Sequence, residues 1–99
     1  MARFHVHPAP AGNGYVLDVQ ADAMSHFNTR LVIPLLPLDA APMPAKILNP
    51  VFEISGFRYA LVTQYMAAIP LKLLKPPVFS AADRQDEIVA AIDLLLQGF

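Results

Sequence analysis

Polar and apolar residues alternate along Arg3-Phe4-His5-Val6-His7, the period-two signature of a strand with one buried face. Pro8 and Pro10 end that run, and Gly12-Asn13-Gly14 supplies residues able to adopt positive φ in a tight reversal. Tyr15-Val16-Leu17-Asp18-Val19-Gln20 then reads as the returning strand, which predicts an N-terminal hairpin. Residues 21–28 are mixed and polar, as expected of a loop or short turn structure. Arg30-Leu31-Val32-Ile33 is a β-branched apolar run, predicted to be a central strand that ends where the prolines begin. From Pro34 through Pro37, Pro42 and Pro44 to Pro50 the backbone is expected to be irregular and partly extended. Val51-Phe52-Glu53-Ile54 and Phe57-Arg58-Tyr59-Ala60-Leu61-Val62-Thr63 flank Ser55-Gly56, a two-residue link of the kind that joins antiparallel strands directly. Residues 68–74 resemble a last strand, with Pro70 confining it to an edge or a bulge.

The pattern changes period at the end of the chain. Ser80 precedes Asp83 by three residues, a modest capping signal, and Asp83, Asp86 and Glu87 put negative charge in the first turns. Ile88, Ile92, Leu95 and Phe99 form one helical stripe, while Asp86, Ala90, Asp93 and Gln97 fall on another face. The predicted plan is mainly β, a small antiparallel domain closed by one C-terminal α-helix.

Length bounds this plan to a single domain over residues 1–99. Hydrophobic residues make up 56% of the chain and charged residues 15%, against a usual charged share of about 25%, which excludes intrinsic disorder. A domain this small buries only about 60–70% of its unfolded surface, so some apolar residues are expected to meet a second chain, most simply in a symmetric dimer. The net charge of −1 provides no field to attract phosphate backbones, so unaided nucleic-acid binding is not expected. The absence of cysteine removes disulfides and thiolate metal sites and suits a reducing cytoplasm. No apolar leader is visible, and the prolines break the most apolar stretch, so a soluble, membrane-free protein is expected.

Candidate chemistry is sparse. His5 and His7 share a strand face, but a zinc site wants three or four ligands and no third lies nearby, so a partly exposed strand face is expected and no metal. Ser25-His26 are adjacent in a loop, which gives no triad geometry. Asp18 and Asp22 read as solvated acids of a hairpin, and Arg3, Arg30, Arg58 and Arg84 are spread singly, so no catalytic residues and no enzyme are expected. The helix end carries more information. Its last basic residue is Arg84, whereas Asp93 sits near the negative pole of the helix dipole, as a site for a cationic partner group would. Gly98 reads as a terminator, and Phe99 as an aromatic anchor at an interface.

Five stretches in order resemble the CcdB toxins of bacterial toxin–antitoxin modules, over Phe4 to Phe99. Leu17-Asp18-Val19-Gln20-Ala21-Asp22 is similar to the family's V-D-V-Q-S-D, and Arg30-Leu31-Val32-Ile33-Pro34-Leu35 to its R-M-V-I-P-L. Leu48-Asn49-Pro50-Val51 with Ile54 and Gly56 resembles L-Y-P-V-x-x-I-G, and Met66-Ala67-Ala68-Ile69-Pro70-Leu71 resembles M-A-S-V-P-V. The helix from Ile88 keeps I-x-x-A-I-x-L with a glycine one residue from the end. The resemblance implies an SH3-like antiparallel β-barrel with a C-terminal helix, a homodimer, and no cofactor. It also implies a poison that binds the A subunit of DNA gyrase, trapping the cleaved-DNA complex. A CcdA-like antitoxin, disordered when free, would neutralise it, and operator DNA would be met only through the antitoxin complex. The family's gyrase-contacting Trp-Gly-Ile terminus and the Asn one turn earlier fall here on Gln97, Gly98, Phe99 and Asp93, and its Ser and Ile contact positions fall on Ala21 and Ala23. Gln97 departs from the family's tryptophan and has no π face for a partner arginine. The alternatives are a non-toxic dimer of the same fold acting as an antitoxin-binding co-repressor and, ranked lower, a ribonuclease of the related toxin class.

Overall fold

Phe4 adopts a left-handed backbone (φ 69°), so the first strand begins later than the alternation of residues 3–7 implies. The structure, a computed structural model, describes residues 2–41 and 45–98. Its strands are β1 (His5–Pro8), β2 (Tyr15–Asp18), β3 (Thr29–Pro37), β4 (Val51–Ile54), β5 (Phe57–Leu61), β6 (Ala67–Pro70) and β7 (Phe79–Ser80), followed by the helix α1 (Gln85–Gln97). All pair antiparallel, in the order β4-β5-β3-β2-β1-β7, with β6 attached to β3. The sheet curls into a half-barrel. The mainly β fold with one C-terminal helix is therefore present.

Both hairpins form where the turn residues place them. Ser55 and Gly56 both take positive φ (54° and 83°), the conformation whose twist matches two antiparallel strands. Gly14 has φ 104°, and a Cβ there would run into the carbonyl oxygen of Leu35. Gly14→Ala is therefore expected to lose about 3 kcal/mol in urea unfolding, from backbone strain and overpacking together. Gly56→Ala, with nothing within 4 Å of a new Cβ, is expected to lose only about 1 kcal/mol.

Predicted boundaries differ at β3 and β6. β3 does not end at the prolines but runs through Pro34 to Pro37; Pro42 and Pro44 of the same proline-rich stretch lie outside the described residues. The free side of β3 pairs with β6 up to Val32 and with β5 from Leu35. Pro34 thus sits at the changeover, where its missing N–H breaks no ladder, while its carbonyl accepts from the Val62 N–H at 2.9 Å. β6 ends at Pro70 because its partner β3 begins at Thr29, the residue opposite. Beyond it Leu71–Leu73 forms a 3-10 turn rather than continuing the strand expected over residues 68–74. The two-residue β7 follows Pro76-Pro77 and is too short to show a period.

Successive residues face opposite sides of the sheet. One side holds Val6, Leu17, Ile33, Leu35, Phe52 and Leu61, with Ile88 of α1 packed onto them. The other holds Val16 and Val32 under Leu74, which belongs to residues 71–77, a strap crossing that side from β6 toward β1. His7 lies beneath the strap, fully buried, its Nδ1 2.7 Å from the Lys75 carbonyl oxygen. The partly exposed strand face expected for His5 and His7 fits the half-buried His5 but is corrected for His7, which is enclosed. Asp18 is likewise no solvated acid. It and Arg30 are both 0% exposed and form an ion pair at 2.8 Å across β2 and β3.

Candidate functional site

Helix α1 is fixed at its start and open at its end. Ile88 and Ala91 are buried, and Val89 and Ile92 pack against the same core. No side chain caps the first turn; the Ser80 hydroxyl instead accepts from the Ala82 N–H at 3.2 Å, in the 3-10 turn Ala82–Arg84 that leads in. Arg84 anchors the junction. Its guanidinium lies 3.8 Å from the Phe52 ring centre and donates to the Val51 carbonyl at 2.9 Å. Its Nε and Nη2 donate to the two Glu87 carboxylate oxygens at 3.0 and 2.6 Å.

That fork holds the Glu87 carboxyl below its usual range, first through the hydrogen bond and then through the charge of Arg84. A depressed carboxylate contributes stability above its unfolded value, about 4.3, and loses it as pH falls through the folded value. Both side chains are substantially exposed, so the contribution is only about 0.2–1 kcal/mol. Glu87→Gln is expected to lower the melting temperature slightly at pH 7 and to converge with the parent protein as pH falls through the folded value of Glu87, as followed by circular dichroism.

The far end of α1 is unlike its start. No basic residue lies in the last turn, so the carbonyl pole of the helix meets only Asp93, which is exposed and has no ion-pair partner among the described residues. Gly98 closes the helix in a left-handed conformation (φ 81°), its N–H donating to the Leu94 carbonyl at 2.9 Å. Leu94, Leu95 and Leu96 point successively around the helix, so its last turn is apolar on most sides. Leu95 is 38% exposed and Leu96 70% exposed. Ala91 and Ile88 are the fully buried residues of the helix.

Of the residues singled out from the sequence, Asp93, Gln97 and Gly98 lie together and exposed on this final turn. Phe99 lies outside the described residues. Ala21 and Ala23 are exposed on a different element, the loop around the 3-10 turn Asp22–Met24. α1 packs against the turn Thr63–Tyr65 instead. The loop is nonetheless held in place: the Arg3 N–H donates to the Asp22 carboxylate at 2.8 Å. Gln20 donates through Nε2 to the Met24 carbonyl at 2.7 Å and accepts through Oε1 from the Leu31 N–H at 2.9 Å. Sequence reading missed Leu96 and the bridging role of Gln20. The run of three leucines before a polar terminus was the available signal for the first.

Ser25 and His26 stay in the exposed loop, the His26 ring against that of Phe27 with centres 4.3 Å apart. No group of three or more His, Cys, Asp or Glu that could hold a metal ion occurs among the described residues. No helix among them is long and apolar enough to cross a membrane. The open helix end thus combines an apolar patch from Leu95 and Leu96 with an unpaired carboxylate at a negative helix pole, the chemistry of a docking surface. A model of the CcdB protein family matches residues 3–98 of the chain.

Proposed function

Because the chain belongs to the CcdB family of toxin–antitoxin toxins, we propose that it is a gyrase poison that binds the A subunit of DNA gyrase, trapping the cleaved-DNA complex. The observation that carries this reading is the uncovered helix end, where Leu96 is 70% exposed beside Asp93, Gln97 and Gly98. The poison forms no covalent bond of its own. It shifts gyrase toward the cleaved state by as much as its affinity for that state exceeds its affinity for the resealed one. Asp93 meets a cationic group of the target, taking over the role that an aromatic ring at position 97 would serve. Ala21 and Ala23, on the loop tied by Gln20 and Arg3, and Phe99 complete the contact.

Exposed Leu31 and the large apolar share of so short a chain support a homodimer that presents two helix ends together. A CcdA-like antitoxin neutralises it, and operator DNA is bound only through that complex, in the cytoplasm. Incubating the protein with gyrase and plasmid DNA, then denaturing, is expected to yield linear DNA. No linear product together with no binding to isolated gyrase A protein would overturn the reading. Gln97 favours one second reading, a non-toxic dimer that binds antitoxin as a co-repressor. Harmless overexpression without antitoxin would support it, and growth arrest excludes it.

A further inference from the structure

The sheet face under the strap carries two imidazoles that the contact proposed for the helix end does not use. His7 sits opposite Val16 in the β1–β2 register and shares its side of the sheet, and His5, two residues earlier on β1, shares it too. Their ring centres are 6.4 Å apart. His7 is fully buried, whereas His5 is half-buried with its Nδ1 enclosed. Two ring nitrogens, Nδ1 of His5 and Nε2 of His7, are thus shut away from water with no hydrogen-bond partner among the described residues.

Burying an imidazole nitrogen without a partner is costly, and this face does it twice. The strap decides which nitrogen of His7 is left bare. Lys75 offers Nδ1 a carbonyl oxygen at 2.7 Å, which can only accept, so Nδ1 carries the proton and Nε2 keeps its lone pair. A ring N–H held by a backbone carbonyl, with the other nitrogen free, is the usual support of a metal-binding histidine.

The number of donors and the nearby charges define the ion. Asp18 and Arg30 lie on the same side of the sheet, but they are engaged with each other at 2.8 Å. No third His, Cys, Asp or Glu joins the two rings among the described residues. Zinc, which takes three or four protein ligands, and square-planar copper(II) do not fit two donors. Cuprous copper does: its filled d shell accepts linear two-coordination, and imidazole suits copper. A monovalent ion also brings less charge toward the Arg30 guanidinium than a divalent one. With metal–nitrogen bonds of about 2 Å, a linear ion sets two ring centres about 6 Å apart and a tetrahedral ion about 5 Å. The 6.4 Å spacing fits the first.

We propose that His5 Nδ1 and His7 Nε2 form a two-coordinate site for cuprous copper beneath the strap. The ion reaches the pair past the half-buried His5 and takes up both bare nitrogens. Through the hydrogen bond from His7 to Lys75 it secures the strap against the sheet.

The probe is copper(I) alone, kept reduced by ascorbate under nitrogen and offered to the intact protein as its ferrozine complex. The protein is expected to withdraw a single equivalent, and its melting temperature to rise as copper is taken up. X-ray absorption is expected to show a two-coordinate nitrogen shell. Nitrogen NMR shifts are expected at His5 Nδ1 and His7 Nε2, with none at the exposed His26 ring. These readings need no variant to fold. His5→Ala, and His7→Asn, whose amide can still donate to the Lys75 carbonyl, are each expected to weaken uptake on the order of a hundredfold or more. Failure of the unaltered protein to compete with ferrozine overturns the proposal. So do sulfur in the copper shell, which would assign the ion to methionine, shifts confined to His26, or unchanged uptake by His5→Ala. A rise in melting temperature with zinc equal to that with copper(I) overturns it as well. Gyrase cleavage by His5→Ala is expected to be unchanged, so failure of either idea is seen independently.

Discussion

Asp18→Asn is expected to remove about 3–5 kcal/mol of unfolding free energy in a urea titration, among the largest losses any single polar substitution produces in this chain. The Asp18 carboxylate is 0% exposed, 2.8 Å from Nη2 and from Nε of the equally enclosed Arg30, and accepts the Gln20 N–H at 3.0 Å. Arg30 Nη1 already lacks a hydrogen-bond partner. Without the aspartate charge, a guanidinium is left in the protein interior with nothing to neutralise it, which is what makes a broken buried pair so damaging. The double replacement Asp18→Leu with Arg30→Met removes both charges and is expected to lose far less than Asp18→Asn alone. That inversion, two substitutions milder than one, is the signature of the pair. A loss below about 1 kcal/mol for Asp18→Asn would mean the two side chains are solvated.

Leu96→Asp is expected to abolish poisoning while sparing the fold. Leu96 is 70% exposed, so its change should move stability by no more than about 0.5 kcal/mol. An apolar anchor at the centre of an interface contributes about 2 kcal/mol or more to binding, which is about thirtyfold in affinity. A carboxylate in its place, beside Asp93 and the negative helix pole, also repels whatever cationic group the surface attracts. Plasmid cleavage and affinity for the gyrase A protein should therefore fall together by at least that factor, with an unchanged melting temperature. Cleavage at the parental level would remove Leu96 from the contact. Ile88, fully buried against the core earlier in the same helix, should behave the other way: Ile88→Ala weakens the fold.

What the sequence made legible follows from the range of each signal. The Ser55-Gly56 hairpin and the 3.6-residue period of α1 are local patterns, and both elements form where they point. The ion pair was not legible, because residues 18 and 30 meet only through the β2–β3 register, in which Asp18 faces Val32. A lone aspartate in a strand reads the same whether solvated or enclosed. His7 escapes for a similar reason: alternation reports which residues share a side of the sheet, but not that a strap later in the chain will cover that side. Pro34 reads as a strand end only if β3 has a single partner on that edge, whereas it has two in succession there. Resemblance pointed to Asp93, Gln97 and Gly98 at the helix end and to Ala21 and Ala23 on the loop around Asp22–Met24, all exposed, but not to Leu96. The apolar stripe through Ile88 and Ile92 leads to Leu95 instead.

The double partnership of β3 also determines how the molecule comes apart. This strand is held along one edge by β2 and along the other first by β6 and then by β5, so it cannot leave without tearing three ladders at once. The two-residue β7, by contrast, rests on two register pairs with β1. Thermal fluctuations therefore fray the sheet from that rim inward, and the amides of β3 trade their protons for solvent deuterium last, on the timescale of whole-molecule opening.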